Sequence, residues 1–427
     1  MTLNEKVFWW ETVKFPAGEP EPVAGRWDVA VIGSGYTGLS AALWLAKHGV
    51  KVAVLEAHTL GWGASSRNGG QVLTGLKVGA GTLFKKYGRE RTRRMFAASV
   101  AAIGEVERIV TEENIACDFG RRGHLEVASK PTHFNDFRHS MEVMAKEFNH
   151  PTCLIEPRDL PGEVGSNAYF GGLVDEVSAS VNPAQYVAGL AQAARRAGAK
   201  LFDKTPVEKM VREGPRFRLI TPRGLLHAEQ VFIATSGHTG RVTPALQRKI
   251  IPIGSYIIAT EPLPEAAARS LLPKNRVVFD SKNFLHYYRL SPDKRMLFGG
   301  RAAFAPETPS TVRESAEILQ RDMVTVFPQL RSAKVEYAWG GTLDFAFDMM
   351  PHAGQQDGLY YALGYAGHGV SLATYLGARM AETLCGLQVD NPFTEIDFPG
   401  APLGLYDGRP WFLPFAEKWY QFLDRVS

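Results

Sequence analysis

Three glycines, Gly33, Gly35 and Gly38, stand in "GSGYTG" between the apolar run "DVAVIG" and the helix-like run "GLSAALWLAKHG". A second apolar run, "VKVAVLEA", follows and ends in an acid, Glu56. This order of types suits one kind of chemistry. Gly33 permits a tight turn, Gly35 lets a pyrophosphate reach the backbone, and Gly38 lets a helix lie close to a strand. The helix start, with Tyr36 and Thr37, turns free amides and a positive dipole end toward the phosphates. Glu56, with Ala57 beside it, falls where a carboxylate accepts both hydroxyls of a ribose. An acid there repels an extra 2′-phosphate, so the reading is a dinucleotide site and not one for NADP.

A second polar cluster follows at once. "GWGASSRNGGQV" at 61–72 holds four glycines, two serines, an arginine and an asparagine. Ser65 and Ser66 can donate to phosphate, and Arg67 can offset charge. Gly69 and Gly70 allow backbone to approach a flat ring. Ala64, Asn68 and Gln71 complete the candidate set. A dinucleotide whose second half carries a large planar group is FAD, and this loop suits it. No cysteine or histidine occurs in the loop, so the expectation is non-covalent FAD.

The βαβ unit together with this loop resembles the D-amino-acid oxidase, glycine oxidase and sarcosine oxidase superfamily of flavoproteins. The loop is most similar to the gamma-glutamylputrescine oxidase-like branch, which more often has glycine where this chain has Ser66. Further segments extend the resemblance to nearly the whole chain. The superfamily's valine beside the adenine matches Val207, and its return turn matches Thr235, Ser236 and Gly237. Its "W-x-G…D…P…G" segment matches Trp339, Gly341, Asp348, Pro351 and Gly354. Its last flavin turn matches Gly367, His368, Gly369 and Val370.

The elements that must position these residues follow from pattern. The expected fold class is α/β, α+β overall, with a Rossmann-type FAD-binding domain interrupted by an antiparallel-sheet substrate domain. The FAD-binding part is expected over 1–81, 176–249 and 335–395, and the substrate part over 82–175 and 250–334. A C-terminal tail with an aromatic helix spans 396–427. Asn182 and Pro183 read as N-cap and N1 of a helix. "EGPRFRLITPRGLLHAEQ" reads as a hairpin, and "NFLHYYRLSPDKRMLFGGR" as two strands joined at 291–294.

Composition excludes several classes. A chain of 427 residues with a net charge of only +4 has no basic block suited to nucleic acid. No apolar run nears the roughly 18 residues of a spanning helix, and no signal-peptide pattern opens the chain. A cytoplasmic protein is expected, without membrane association. The three cysteines are far apart, which suits buried thiols in a reducing compartment and no metal site.

The resemblance implies oxidation of the C–N bond of an amine by hydride transfer to flavin N5, imine hydrolysis to an aldehyde, and reoxidation by dioxygen or another acceptor. The branch implies a gamma-glutamylated polyamine such as gamma-glutamylputrescine. The alternatives are an amino-acid oxidase or dehydrogenase for a secondary or D-amino acid, and a non-catalytic flavin-fold binding protein. An acid substrate requires an arginine partner, and Arg289 and Arg301 are candidates. Candidate catalytic residues are His368, Tyr288, His286 and Lys282, the last for dioxygen activation. Candidate substrate contacts are Tyr256, Arg301 and Trp339. Residues 284, 286, 288 and 290 share one strand face, which points His286 and Tyr288 the same way.

Overall fold

The structure, a computed structural model, describes residues 3–303, 308–413 and 415. Two large sheets, each of eight strands among the described residues, divide the chain. The apolar runs around the glycine turn form strands Arg26–Ile32 and Val52–Leu55, paired in parallel and joined by helix Tyr36–Lys47. Lys200–Phe202 continues this sheet on one side, and Gly224–Ile233 and Leu359–Leu363 on the other, all in parallel. The strands are near-continuous hydrophobic runs because both faces are covered. Helix Tyr36–Lys47 packs on helices Pro183–Arg196 and Gly369–Leu384 in one apolar cluster. A Cβ at Gly38 would lie 2.0 Å from the Gly33 carbonyl oxygen, so the helix can start this close to the turn only without a side chain there.

The second sheet runs Val335–Ala346, Ile250–Thr260, Met296–Ala303, Tyr287–Leu290, Val277–Asp280, His124–Val127, Gly172–Asp175, Cys153–Ile155. Its pairs are antiparallel except one. Val277–Asp280 and His124–Val127 run parallel, at the seam where the two distant stretches of chain meet. Residues 335–346, expected in the FAD-binding part, instead pair along Ile250–Thr260 and belong to this sheet. The twelve-residue strand pairs along nearly the whole of the eleven-residue Ile250–Thr260, which fixes it in this sheet.

Helix Pro309–Val326 covers the outer face of the sheet. Thr308 caps it, accepting from the Thr311 amide. Period-two alternation sends Tyr256, Ile258, Tyr288 and Phe298 under this helix. The opposite set, with Ile253, Ser255, Ile257 and Tyr287, faces the cavity described below.

The N-terminal aromatic segment packs on its own chain. Phe8–Thr12 forms a 3-10 turn, with Trp9 fully buried against Ile257, Leu297 and Trp339. Of the three cysteines only Cys117 is buried; Cys153 and Cys385 are exposed, which corrects the expectation of three buried thiols. Cys153 begins the edge strand Cys153–Ile155, and Cys385 caps the end of helix Gly369–Leu384. The expected C-terminal helix falls mostly outside the described residues, but Tyr406 and Phe412 pack on Phe347. No helix among the described residues is long and apolar enough to cross a membrane.

Candidate active site

The glycine turn sits at the carboxyl ends of the parallel strands, the position at which this kind of sheet binds ligands. Gly33 has φ +104, and Gly35 caps the helix with no side chain at its end. Ser65 reaches over from the polar loop, and its Oγ accepts from the Tyr36 amide at 3.0 Å. The side chains of Tyr36 and Thr37 turn inward: Tyr36 donates to the Pro183 carbonyl, and the Thr37 hydroxyl meets that of Tyr365 at 2.7 Å. Glu56 is held in place by three donors, the Ser34 amide and hydroxyl and the His58 amide. Ala57 is exposed beside it.

The loop over 64–71 is braced from all sides. Asn68 Nδ2 donates to the Ala64 and Ser65 carbonyls, and its Oδ1 accepts from the Gly70 amide at 2.8 Å. Gly69 lies under Tyr287: a Cβ there would be 3.1 Å from the ring. Gly70 has φ +69, and a Cβ would stand 2.1 Å from the Val181 oxygen. Gln71 donates to the Val278 carbonyl. Two candidates have other partners than phosphate. Ser66 is buried and accepts from Trp10 Nε1 at 2.9 Å. Arg67 donates to the Trp62 and Gly340 carbonyls, with its guanidinium over the rings of Trp10 and Trp62. Both serve loop shape.

Three indole N–H groups meet at consecutive residues of this loop. Trp9 donates to the Asn68 carbonyl at 2.9 Å, Trp10 to Ser66, and Trp339 to the Arg67 carbonyl at 2.8 Å. Trp339 therefore supports the loop and does not line the cavity. Trp9 and Trp10 were not recognised in the sequence as part of the site.

A cavity of about 1000 Å³ lies between the loop and the second sheet. Its lining includes Gly69, Gly341, Gly367, His368, Tyr287 and Lys282. A Cβ at Gly367 would meet nothing within 4 Å, and the His368 Nδ1 is buried with no partner among the described residues. Burial, with Lys77 nearby, lowers the His368 ring to about 4, so it is neutral. The helix that starts at Gly369 has no side-chain cap, and its first amides, with Val370 at the cavity wall, are open to an anion.

These features fit FAD. Its pyrophosphate would meet the turn at 33–38, its ribose Glu56, and its ring system the backbone at 69–70 and 367–369. Val207 has no backbone hydrogen bond among the described residues, which leaves its N–H and C=O for the adenine. Thr235 bonds Thr239, and Gly237 packs on Leu343 of the second sheet, so this turn joins the sheets. No cysteine lines the cavity. Acid precipitation of the yellow holoprotein is expected to leave its colour in the supernatant; a yellow pellet would show a covalent bond.

Several substrate-site expectations are corrected. Tyr288 is fully buried, stacked on Phe298 under helix Pro309–Val326. Tyr256 lies under the same helix and donates to Thr311. His286 precedes the strand and sits between Asp280 and Asp322, at 3.2 and 3.1 Å. Burial alone would lower its pKa, but the two carboxylates raise it. The face assignment was the error: 286, 288 and 290 do go together, but toward the helix. Tyr287 is the residue that faces the cavity. Lys282 does line it, with Nζ 3.4 Å from Asp280. Arg301 is in strand Met296–Ala303, and its side chain lies outside the described ones. Arg289 is buried, donating to the Gly70 and Val181 carbonyls, with Asp118 at 3.6 Å.

Sequence reading also missed Asp344, Lys77 and Glu126. Asp344 accepts from the Gly364 amide at 2.7 Å, tying the second sheet to the last turn, and burial raises it to about 6. Glu126 and Lys77 line the cavity. The alternation "HLEV" at 124–127 was the available signal for Glu126.

Comparison with known proteins agrees with this geometry. A family model described as FAD dependent oxidoreductase (DAO) matches residues 28–383. The chain is 35% identical over 410 residues to gamma-glutamylputrescine oxidoreductase of Escherichia coli, covering 94% of this chain and 93% of that protein. It is 33% identical over 408 residues to the probable oxidoreductase OrdL of Haemophilus influenzae, covering 93% and 92%. The crystal structure of glycine oxidase from Geobacillus kaustophilus superposes with a TM-score of 0.75 at 21% identity, over 88% of this chain and 100% of that one. The chain belongs to the DAO family and is an FAD-dependent oxidoreductase acting on amines or amino acids.

Proposed function

We propose that the protein oxidises the C–N bond of a gamma-glutamylated polyamine such as gamma-glutamylputrescine, with dioxygen as electron acceptor. Cofactor binding is assigned to the unit on the first sheet and substrate binding to the unit on the second, including 335–346. The observation that carries the reading is the extent of the cavity. It runs from His368 and Gly367 past Phe279 and Tyr287 to Phe84, Phe96 and Met144 on three helices. Even with a flavin ring in its inner part, that length suits an extended chain better than a compact amino acid. Whole-length similarity to gamma-glutamylputrescine oxidoreductase supports it. Bound FAD would supply the two-electron acceptor. The chain's own residues would hold the amine against the 367–369 backbone and keep water out with Tyr287 and Phe279. Lys282 would set a positive charge near the ring for dioxygen.

An amino-acid substrate is the second reading. Arg289, a candidate carboxylate partner, does not line the cavity. Anaerobic mixing of the yellow protein with gamma-glutamylputrescine, putrescine, and D- and L-amino acids tests both. Gamma-glutamylputrescine is expected to bleach the visible flavin band, with air restoring it. Bleaching by amino acids alone would favour the second reading.

A further inference from the structure

Strand His124–Val127 lies at the parallel seam of the second sheet. Its alternation is plain: Leu125 and Val127 point into the core, while His124 and Glu126 face the cavity. The Glu126 backbone is level with Phe279 on one side and Leu173 on the other. The Glu126 carboxylate makes no hydrogen bond or ion pair among the described residues; its charge neighbours, Lys77 and Asp280, act on it through space only. That is costly for a charge facing a largely enclosed space. The same cavity holds the unpartnered His368 Nδ1. Lys77, from the stretch after the polar loop, acts on Glu126 and His368 through space without closing an ion pair.

We propose that Glu126 is the anchor for the substrate's ammonium, binding the cation in the cavity that His368 also lines and accepting its proton before oxidation. This deepens, and rests on, the amine oxidation proposed above. In the step an N–H bond of the ammonium breaks and an O–H bond forms on Glu126. The amine becomes neutral, as loss of hydride from the adjacent carbon requires, and the proton later leaves to solvent. The wall beside Glu126 is the Phe279 ring, which suits the methylenes next to the nitrogen.

Protonation supports the assignment. Burial raises the Glu126 carboxyl to about 7, with Asp280 adding to this and Lys77 opposing it. The other titratable groups near its strand are His124, which burial lowers to about 4, and Asp175 and His150 in a hydrogen-bonded pair behind it. A carboxyl of this kind is poised to exchange a proton near neutral pH. Cation binding should strengthen as pH rises through about 7, because the ionised form is the binding form.

The test uses the holoenzyme and n-butylguanidinium, a permanent cation that pairs with carboxylates. Its Kd is measured by calorimetry against wild type, E126Q and E126D, with n-butylurea as the neutral control. E126Q is expected to weaken guanidinium binding at least tenfold, E126D to restore part of it, and butylurea to bind all three alike. K77M is expected to move the midpoint of the pH dependence upward; this arm decides if E126Q fails to retain FAD. Equal guanidinium affinity in wild type and E126Q, no guanidinium binding to wild type, or an unmoved midpoint in K77M would overturn the proposal. If gamma-glutamylputrescine fails to bleach wild type but guanidinium still distinguishes E126Q, the polyamine reading falls and the Glu126 anchor stands.

Discussion

Arg289→Met is expected to yield protein that purifies nearly colourless and is less stable by on the order of 3 kcal/mol. The buried guanidinium donates to the Val181 carbonyl at 2.8 Å and the Gly70 carbonyl at 3.2 Å, and lies 5.9 Å from the Trp9 ring centroid. Burial lowers its pKa to about 10, against the pull of Asp118, so it is still charged at neutral pH. Methionine fills much of the volume but donates nothing. The Val181 oxygen, against which Gly70 is packed, loses its side-chain donor, and Asp118 loses a partner. Lysine should restore charge without the planar fork and so rescue only in part. Urea melts of the apoprotein and titration of it with FAD are the measurements. A variant with normal FAD content and stability, but a raised KM for amino acids alone, would mean that Arg289 binds a carboxylate after all.

What the sequence disclosed and what it hid divide along a physical line. Gly33, Gly35, Gly38 and Glu56 were legible because their roles are local: a turn, a close approach and a helix start occur within one βαβ unit. The second sheet was legible as alternation, but alternation tells which residues share a face and not which face meets the cavity. Tyr288 was chosen for its hydroxyl and its parity with His286, yet helix Pro309–Val326 needed an apolar floor and took that face. Tyr287, the neighbour of opposite parity, took the cavity. Glu126 shows the converse. Its strand displayed an acid between two apolar residues, but only the pairing of 124–127 with 277–280 puts that acid in the cavity. The motif in 335–346 also misled, because its residues Trp339 and Gly341 touch the 64–71 loop from a strand of the other sheet.

Least legible were the contacts of the three indoles, which span 59, 56 and 272 residues of sequence. They also generate the second large effect. Trp9→Ala should lower stability by about 3–5 kcal/mol, as expected for removing a buried tryptophan, and this alone says little about the cofactor. Trp9→Phe is more informative: it keeps a ring in the core and removes the donor to Asn68. The Asn68 carbonyl belongs to the residue whose side chain fixes Ala64, Ser65 and Gly70, so freeing it should loosen the whole loop. FAD binding to the apoprotein is expected to weaken about tenfold, a loss of about 1.4 kcal/mol, with faster amide exchange over 64–71. Trp339→Phe should act similarly from the opposite side. If the indoles hold one rigid loop, the two effects will not add, since either loss already lets the loop move. A double-mutant cycle decides this. Coupling of 0.5 kcal/mol or more would show that the N-terminal segment and strand Val335–Ala346 brace one element. Additive losses would mean that Trp9 and Trp339 are separate core residues whose N–H groups merely found nearby carbonyls.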